Sequence, residues 1–344
     1  MKILKTVARG VAVAAILAGT SATAFAQEVT LKMHQFLPAQ ANVPKLVLDV
    51  WADKVEAESQ GRIKIERYPS MQLGGKPPAL IGQVQDGIAD IVWTVVGYTP
   101  GRFPQAEVFE LPFTMTNAEA TSRAYWEFAE ANMLDKDYAP FKVIAVWVHG
   151  PGVIHSKAPI TSVADLNGVK LRAPTRVTNM LFSSLGATPI GMPVPAVPEA
   201  LSKGVIDATV IPWEVTAALK VSELVGNHTT FGDESLYTTS FIFAMNKEKY
   251  ESMPDDLKAV IDANSGADVS AWAGKVMQAS DEPAMQIAVD RGNNIIELTP
   301  EQVAEWKAAA EPIAGEWVEE MNAKGFDGQA LLDQAKALIA KNTK

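Results

Sequence analysis

In "VTLKMHQF", Val29, Leu31 and Met33 alternate with polar neighbours, a two-residue period that predicts a strand with one buried face. Val47, Val50, Trp51 and Val55 then recur at helical intervals, with Pro44 near the start and Gly61 as the stop, so the spacing predicts a helix. Alternation returns in "RIKIERYP". Strand, helix, strand is the opening unit of a mostly parallel sheet, because the helix carries the chain back to start a second strand in the same direction.

The arrangement recurs further along. "ALIGQVQDGIADIVW" (79–93) and "EALSKGVIDATVIPW" (199–213) each run from a helical stretch into a glycine, then after two residues an aspartate, then an apolar strand ending near a tryptophan. Gly87 and Gly204 are 117 positions apart, as are Asp90 and Asp207. Helix, glycine cap and strand also recur in unrelated α/β units. Two lobes of similar design, with strand ends facing each other across a cleft, account for the equal spacing as well. From Met253 to Asn294 the pattern is mostly helical, interrupted near Gly266 and Pro283, and "TPEQVAEW" restarts it with a capping box at Thr299, Pro300 and Gln302. The C-terminal third therefore predicts long helices packed along both lobes. At 344 residues the chain holds about two domains' worth of sequence. No Ser/Gly linker divides it, so crossing strands or a helix should join the lobes, expected at 27–149 plus 237–277 and at 150–236 plus 278–344.

The N-terminal end reads differently. Lys2, Lys5 and Arg9 precede the uncharged run "VAVAAILAG" and the small residues "SATAFAQ", the layout of a secretory signal peptide over 1–26 with cleavage after Ala26. The run is too short to cross a bilayer. The expected location is the periplasm, in solution and without membrane insertion. The absence of cysteine removes a lipid anchor, disulfides and thiolate metal sites. The formal charge is −10, and losing the three leader cations takes it to −13. Like charge then opposes nucleic acid and anionic lipid as partners.

No catalytic constellation emerges. His34, His149, His155 and His228 lack metal-ligand spacing, and no nucleophile elbow, Walker loop or dinucleotide fingerprint occurs. The expectation is a protein that is not an enzyme and uses no metal or cofactor. "GVKLRAPTRVTN" (168–179) is basic within an acidic chain. An Asn-Gly turn leads into a strand, Val169 to Ala173, halted by Pro174, which puts Arg172 at a carboxyl strand end beside the cleft. Its planar fork matches a carboxylate through two parallel bonds, and position favours that role over a salt bridge to an acidic residue. Arg176, on the first turns of a helix, has no such positional argument.

The run from "LNGVKLRAP" through "ATVIPW", together with "GRIKIERYPSMQLGG", "DGIADIVW" and "ELPF", closely resembles the extracytoplasmic solute-binding proteins of TRAP transporters, the DctP-type family. The resemblance covers essentially all of the chain after the leader. It implies an α/β, two-lobed periplasmic-binding-protein fold: two mixed, mostly parallel sheets flanked by helices, with a ligand cleft between the lobes. It also implies a monomer that closes on a small organic acid and delivers it to TRAP membrane permease subunits, with Arg172 pairing the ligand carboxylate. Where sugar-acid binders of that family carry polar readers, this chain has Val95 and Tyr98 in the first lobe and Ile211 in the second. A second family arginine is replaced at about Gly152.

An apolar wall suits an aromatic or otherwise apolar monocarboxylate, because polar groups of a sugar acid would be buried unmet. A 2-oxo acid such as pyruvate or a C4-dicarboxylate is the alternative, and an exported hydrolase or lyase a lower one. Trp93, Trp147 and Trp213 either stack on a flat ligand or fill the core, with Trp213 the leading candidate because it follows Pro212 at a strand mouth. His149, Thr175 and Tyr237 either donate hydrogen bonds to the ligand or serve as crossover and helix-cap residues.

Overall fold

The computed structural model describes residues 28–343; the expected leader and its cleavage point lie outside them. The strands are β1 (Val29–His34), β2 (Ile63–Tyr68), β3 (Ile91–Val95), β4 (Phe141–Val148), β5 (Val153–Ser156), β6 (Lys170–Ala173), β7 (Thr188–Gly191), β8 (Ala208–Ile211), β9 (Asn227–Thr230), β10 (Ser240–Asn246) and β11 (Asn294–Glu297). They form two sheets, ordered β2-β1-β3-β10-β4 and β11-β9-β5-β8-β6-β7. Only β10 in the first sheet and β5 in the second run against their neighbours, so both sheets are mixed and mostly parallel.

Those two strands carry the chain between sheets. β4 passes through His149–Gly152 into β5, and β9 passes through residues 231–239 into β10. A third crossing is helical: Ala267–Ala279 packs beside the first sheet on β4 and Ala118–Asn132, and Asp281–Asp290 packs on Trp213–Leu219 beside the second. The break falls at Ser280, three residues before Pro283. Pro283 then lies in a first turn, where a missing N–H breaks no intrahelical bond. The crossings mesh closely. A Cβ on Gly150 would lie 2.1 Å from Asp281 Oδ2, and one on Gly152 would lie 2.0 Å from the Tyr237 ring. Gly328–Asn342, expected with the second lobe, packs instead against Ala118–Asn132 beside the first sheet.

The repeated glycine has a shared cause. Gly87 and Gly204 both take left-handed backbone, at φ +71° and +69°, just past helices Leu80–Gln85 and Val197–Ser202. In each case the next two N–H groups return to one helical carbonyl, that of Gln83 or Ala200. This close lets the helix turn directly into β3 or β8, and a Cβ would be strained there. The strand ends that follow face the same space between the sheets.

The outer edge of the first sheet is covered. On β4, the Val146 N–H donates to Ser270 Oγ (3.1 Å) and the Val148 N–H to Ser122 Oγ (3.0 Å), so two helices satisfy donors that would otherwise be open to another strand. Close approach of those helices depends on Gly274, where a Cβ would lie 2.5 Å from the Ala118 carbonyl oxygen. Gly274→Val should therefore force the pair apart and destabilise the protein by about 2 kcal/mol. Denaturant unfolding monitored by circular dichroism measures this; unchanged stability would contradict the packing account.

Candidate ligand-binding site

Pro174 ends β6 and leaves Arg172 one residue from the strand's end, with Leu171 and Ala173 buried on the opposite face. The Arg172 side chain is almost wholly enclosed, at 1% exposure. Its Nε donates to the Met192 carbonyl at 2.9 Å and its Nη1 to the Val210 carbonyl at 3.0 Å. These bonds aim the fork without neutralising it. Among the described residues, no carboxylate forms an ion pair with it. Burial lowers the Arg172 pKa from its ordinary value, opposed by the phenols of Tyr98 and Tyr237. Arginine stays charged under such conditions, so the site holds a buried, uncompensated cation.

Arg172 lines a cavity between the sheets. Much of its wall is aromatic. The rings of Trp93 and Phe36 stack at 4.6 Å, and those of Trp93 and Phe241 at 5.2 Å. Val95, Ile211, Val194 and Met277 add aliphatic surface. Such a wall favours a flat apolar guest and offers little to a polyhydroxy one.

Polar groups at the cavity fall into two sets. Beside the guanidinium, the Tyr98 hydroxyl accepts from the Val194 N–H at 2.8 Å, while the Tyr237 hydroxyl is buried without a protein partner. The Trp93 Nε1–H is likewise unpartnered. His149 is pulled down to about 4, by burial first and then by Arg172, so its ring is neutral. Its Nδ1–H donates to the Gly150 carbonyl at 2.5 Å. That uses the ring's one proton and leaves Nε2 as an acceptor, so His149 does not serve as the donor expected from the sequence.

The second set is a single carboxyl, and two further buried acids, Asp281 and Glu110, stand outside the lining. Glu214, in the first turn of Trp213–Leu219, lines the cavity with its Oε2 unpartnered, and burial, reinforced by Asp281, raises its pKa well above normal. The Asp281 Oδ1 accepts from the Glu214 N–H at 2.8 Å, and burial raises Asp281 to about 7. Glu110, beside Thr175 and accepting from the Ser240 N–H at 3.0 Å, is raised to about 7 by burial.

The structure thus brings Arg172, Trp93, Tyr98, Val95, His149, Ile211 and Tyr237 to one cavity. The other three sequence candidates lie elsewhere. Trp147 is behind this wall, its ring 6.1 Å from Trp93 in the core. Thr175 caps helix Arg176–Ser184 and abuts Gly97 across the cleft. Trp213 packs on His155 at 4.9 Å and His228 at 4.8 Å, which are cross-strand partners on β5 and β9. Arg176 pairs with Glu107 (Nε to Oε1, 3.0 Å) and with Glu320, a structural role between the two sides of the cleft. Phe36, Phe241 and Glu214 are cavity residues that sequence reasoning missed. The strand-end position of Phe36 in "HQFLP" was the available signal.

Two α/β sheets joined by three crossings, with a charged and aromatic cavity between them, define a two-lobed receptor for a small organic ligand. The family described as "Bacterial extracellular solute-binding protein, family 7" (DctP) matches residues 34–320, and the chain belongs to it. It is 26% identical to the C4-dicarboxylate-binding periplasmic protein DctP of Rhodobacter capsulatus, over 78% of this chain and 80% of that one. A TRAP solute-binding protein from Rhodoferax ferrireducens, solved in complex with copurified benzoate, is 50% identical over 91% of this chain and 98% of its own, with a TM-score of 0.90. A marine-metagenome TRAP solute-binding protein specific for aromatic acid ligands, solved with 3-hydroxybenzoate, is 51% identical over 92% and 100%, also at 0.90. Among the described residues, no helix is long and apolar enough to cross a membrane.

His155 and His228 support the second-lobe wall. Their Nδ1 atoms are 2.7 Å apart, and His155 Nε2 lies 3.2 Å from the Ile211 carbonyl. Burial lowers both rings, His228 to about 4. A depressed histidine pKa means that the fold favours the neutral ring, so its stabilisation is present above the ordinary 6.5 and is lost as pH falls through about 4. The stability advantage of wild type over His228→Gln should therefore shrink across that window. Paired denaturant titrations at several pH values test it; a constant difference would refute it.

Proposed function

We propose that this chain is the extracytoplasmic receptor of a TRAP transporter, exported to the periplasm by its leader, and that it binds an aromatic monocarboxylate for delivery to the membrane permease. One observation carries the reading: Arg172 is a buried guanidinium with no counter-ion among the described residues, set in a cavity walled by stacked aromatic rings. A ligand carboxylate supplies the missing charge through charge-assisted bonds in a low dielectric, and the rings take up the flat remainder. The unpartnered Tyr237 hydroxyl and Trp93 Nε1–H offer further donors. The ligands in the Rhodoferax and metagenome structures, benzoate and 3-hydroxybenzoate, are of this class.

A dicarboxylate would need a second cation. Among the described residues, Arg172 is the only arginine or lysine lining the cavity. At Gly152 the Tyr237 ring already fills the space a side chain would enter. Lobe closure would join Arg176 to Glu107 and bring Tyr98 to Val194, trapping the ligand away from water. The chain's part in transport is binding and release, with no chemical step.

Calorimetry with benzoate should show binding, and Arg172→Ala should weaken it about 30-fold, roughly 2 kcal/mol, without unfolding the protein. Equal affinity in a folded variant would remove Arg172 from the site. Failure of wild type to bind any aromatic acid would overturn the ligand class.

A further inference from the structure

Glu214 is not accounted for by an anion anchored on Arg172. It is buried at 1% exposure, lines the same cavity, and forms no ion pair with the guanidinium although both border one space. Its Oε2 has no hydrogen-bond partner among the described residues. Its own N–H is held by Asp281 Oδ1 at 2.8 Å, on the helical crossing, whereas the Arg172 fork is held by the Met192 and Val210 carbonyls. The two groups are thus anchored separately in the cavity wall.

A buried carboxyl without a partner is costly unless the cavity's occupant meets it. Burial, reinforced by Asp281, favours its protonated form, and a neutral carboxyl offers one O–H donor as well as acceptor oxygens. This matches a phenolic hydroxyl, which can both give and take a hydrogen bond. A charged carboxylate at the same place would instead repel an anionic guest.

We propose that Glu214 is the specificity-determining residue for a ring hydroxyl, so that the preferred ligand is a hydroxylated aromatic acid with its carboxylate on Arg172 and its phenol on Glu214. This rests on the aromatic-acid reading above and deepens it. An apolar wall alone separates benzoate from its hydroxy derivatives weakly, whereas a buried group built to pair with a hydroxyl discriminates far more strongly.

The test is calorimetry with benzoate and its 2-, 3- and 4-hydroxy isomers on wild type, Glu214→Gln and Glu214→Leu. At least one isomer should bind wild type about 10-fold tighter than benzoate or better. Glu214→Leu should abolish that preference, so that benzoate and its hydroxy isomers bind the variant alike. Glu214→Gln, which keeps a neutral donor and acceptor, should retain most of the preference. Benzoate binding at least as tight as every isomer, or a preference that survives Glu214→Leu, overturns the role of Glu214 but leaves the aromatic-acid reading standing. No binding of any of the four acids to wild type overturns both. Should Glu214→Leu fail to fold, a crystal structure of wild type with its tightest isomer decides: a phenolic oxygen hydrogen-bonded to Glu214 supports the proposal, and one placed on His149 Nε2 or elsewhere overturns it.

Discussion

A cation held out of water without an anion is the constraint on which the site depends. Arg172 is fixed by two backbone carbonyls that orient its fork and leave its charge uncompensated. Two features make this tolerable. The phenols of Tyr98 and Tyr237 lie in its field, and the nearest buried histidine is neutral and adds no like charge. Glu214, the carboxyl among the described residues that lines the cavity, is likewise shifted toward its protonated form and forms no ion pair with the guanidinium. A carboxylate has both the charge and the planar geometry to match such a fork.

The aromatic wall acts on a different part of the guest. Trp93, Phe36 and Phe241 come from β3, from the turn after β1 and from β10, three segments that the first sheet makes adjacent. Their stacking is fixed by backbone pairing, so the wall is assembled with the sheet. The wall offers few polar partners to a polyhydroxy guest.

Much of this was legible in the chain. The halted strand "VKLRAP" placed Arg172 at a sheet's rim, and the repeated helix, glycine and aspartate reported two equivalent turns into cleft-facing strands. Side-chain direction after a strand end was not legible. Trp213 follows Pro212 at the mouth of β8, but the helix beginning there rotates its ring onto His155 and His228, whose pairing across 73 residues no local pattern reveals. Glu214, the next residue, reads in sequence as an ordinary first-turn acid. Its N–H is bonded to Asp281, 67 positions away, a contact no local pattern reveals. The same holds for Trp147, whose place behind Trp93 is set by β10 lying between their strands.

Tyr237 occupies two places at once. Its ring presses on Gly152 in one crossover while the residue itself belongs to the other, and its hydroxyl lies in the field of Arg172. The joint between the sheets and the wall of the cavity therefore share one side chain, and a change at either is felt at the other.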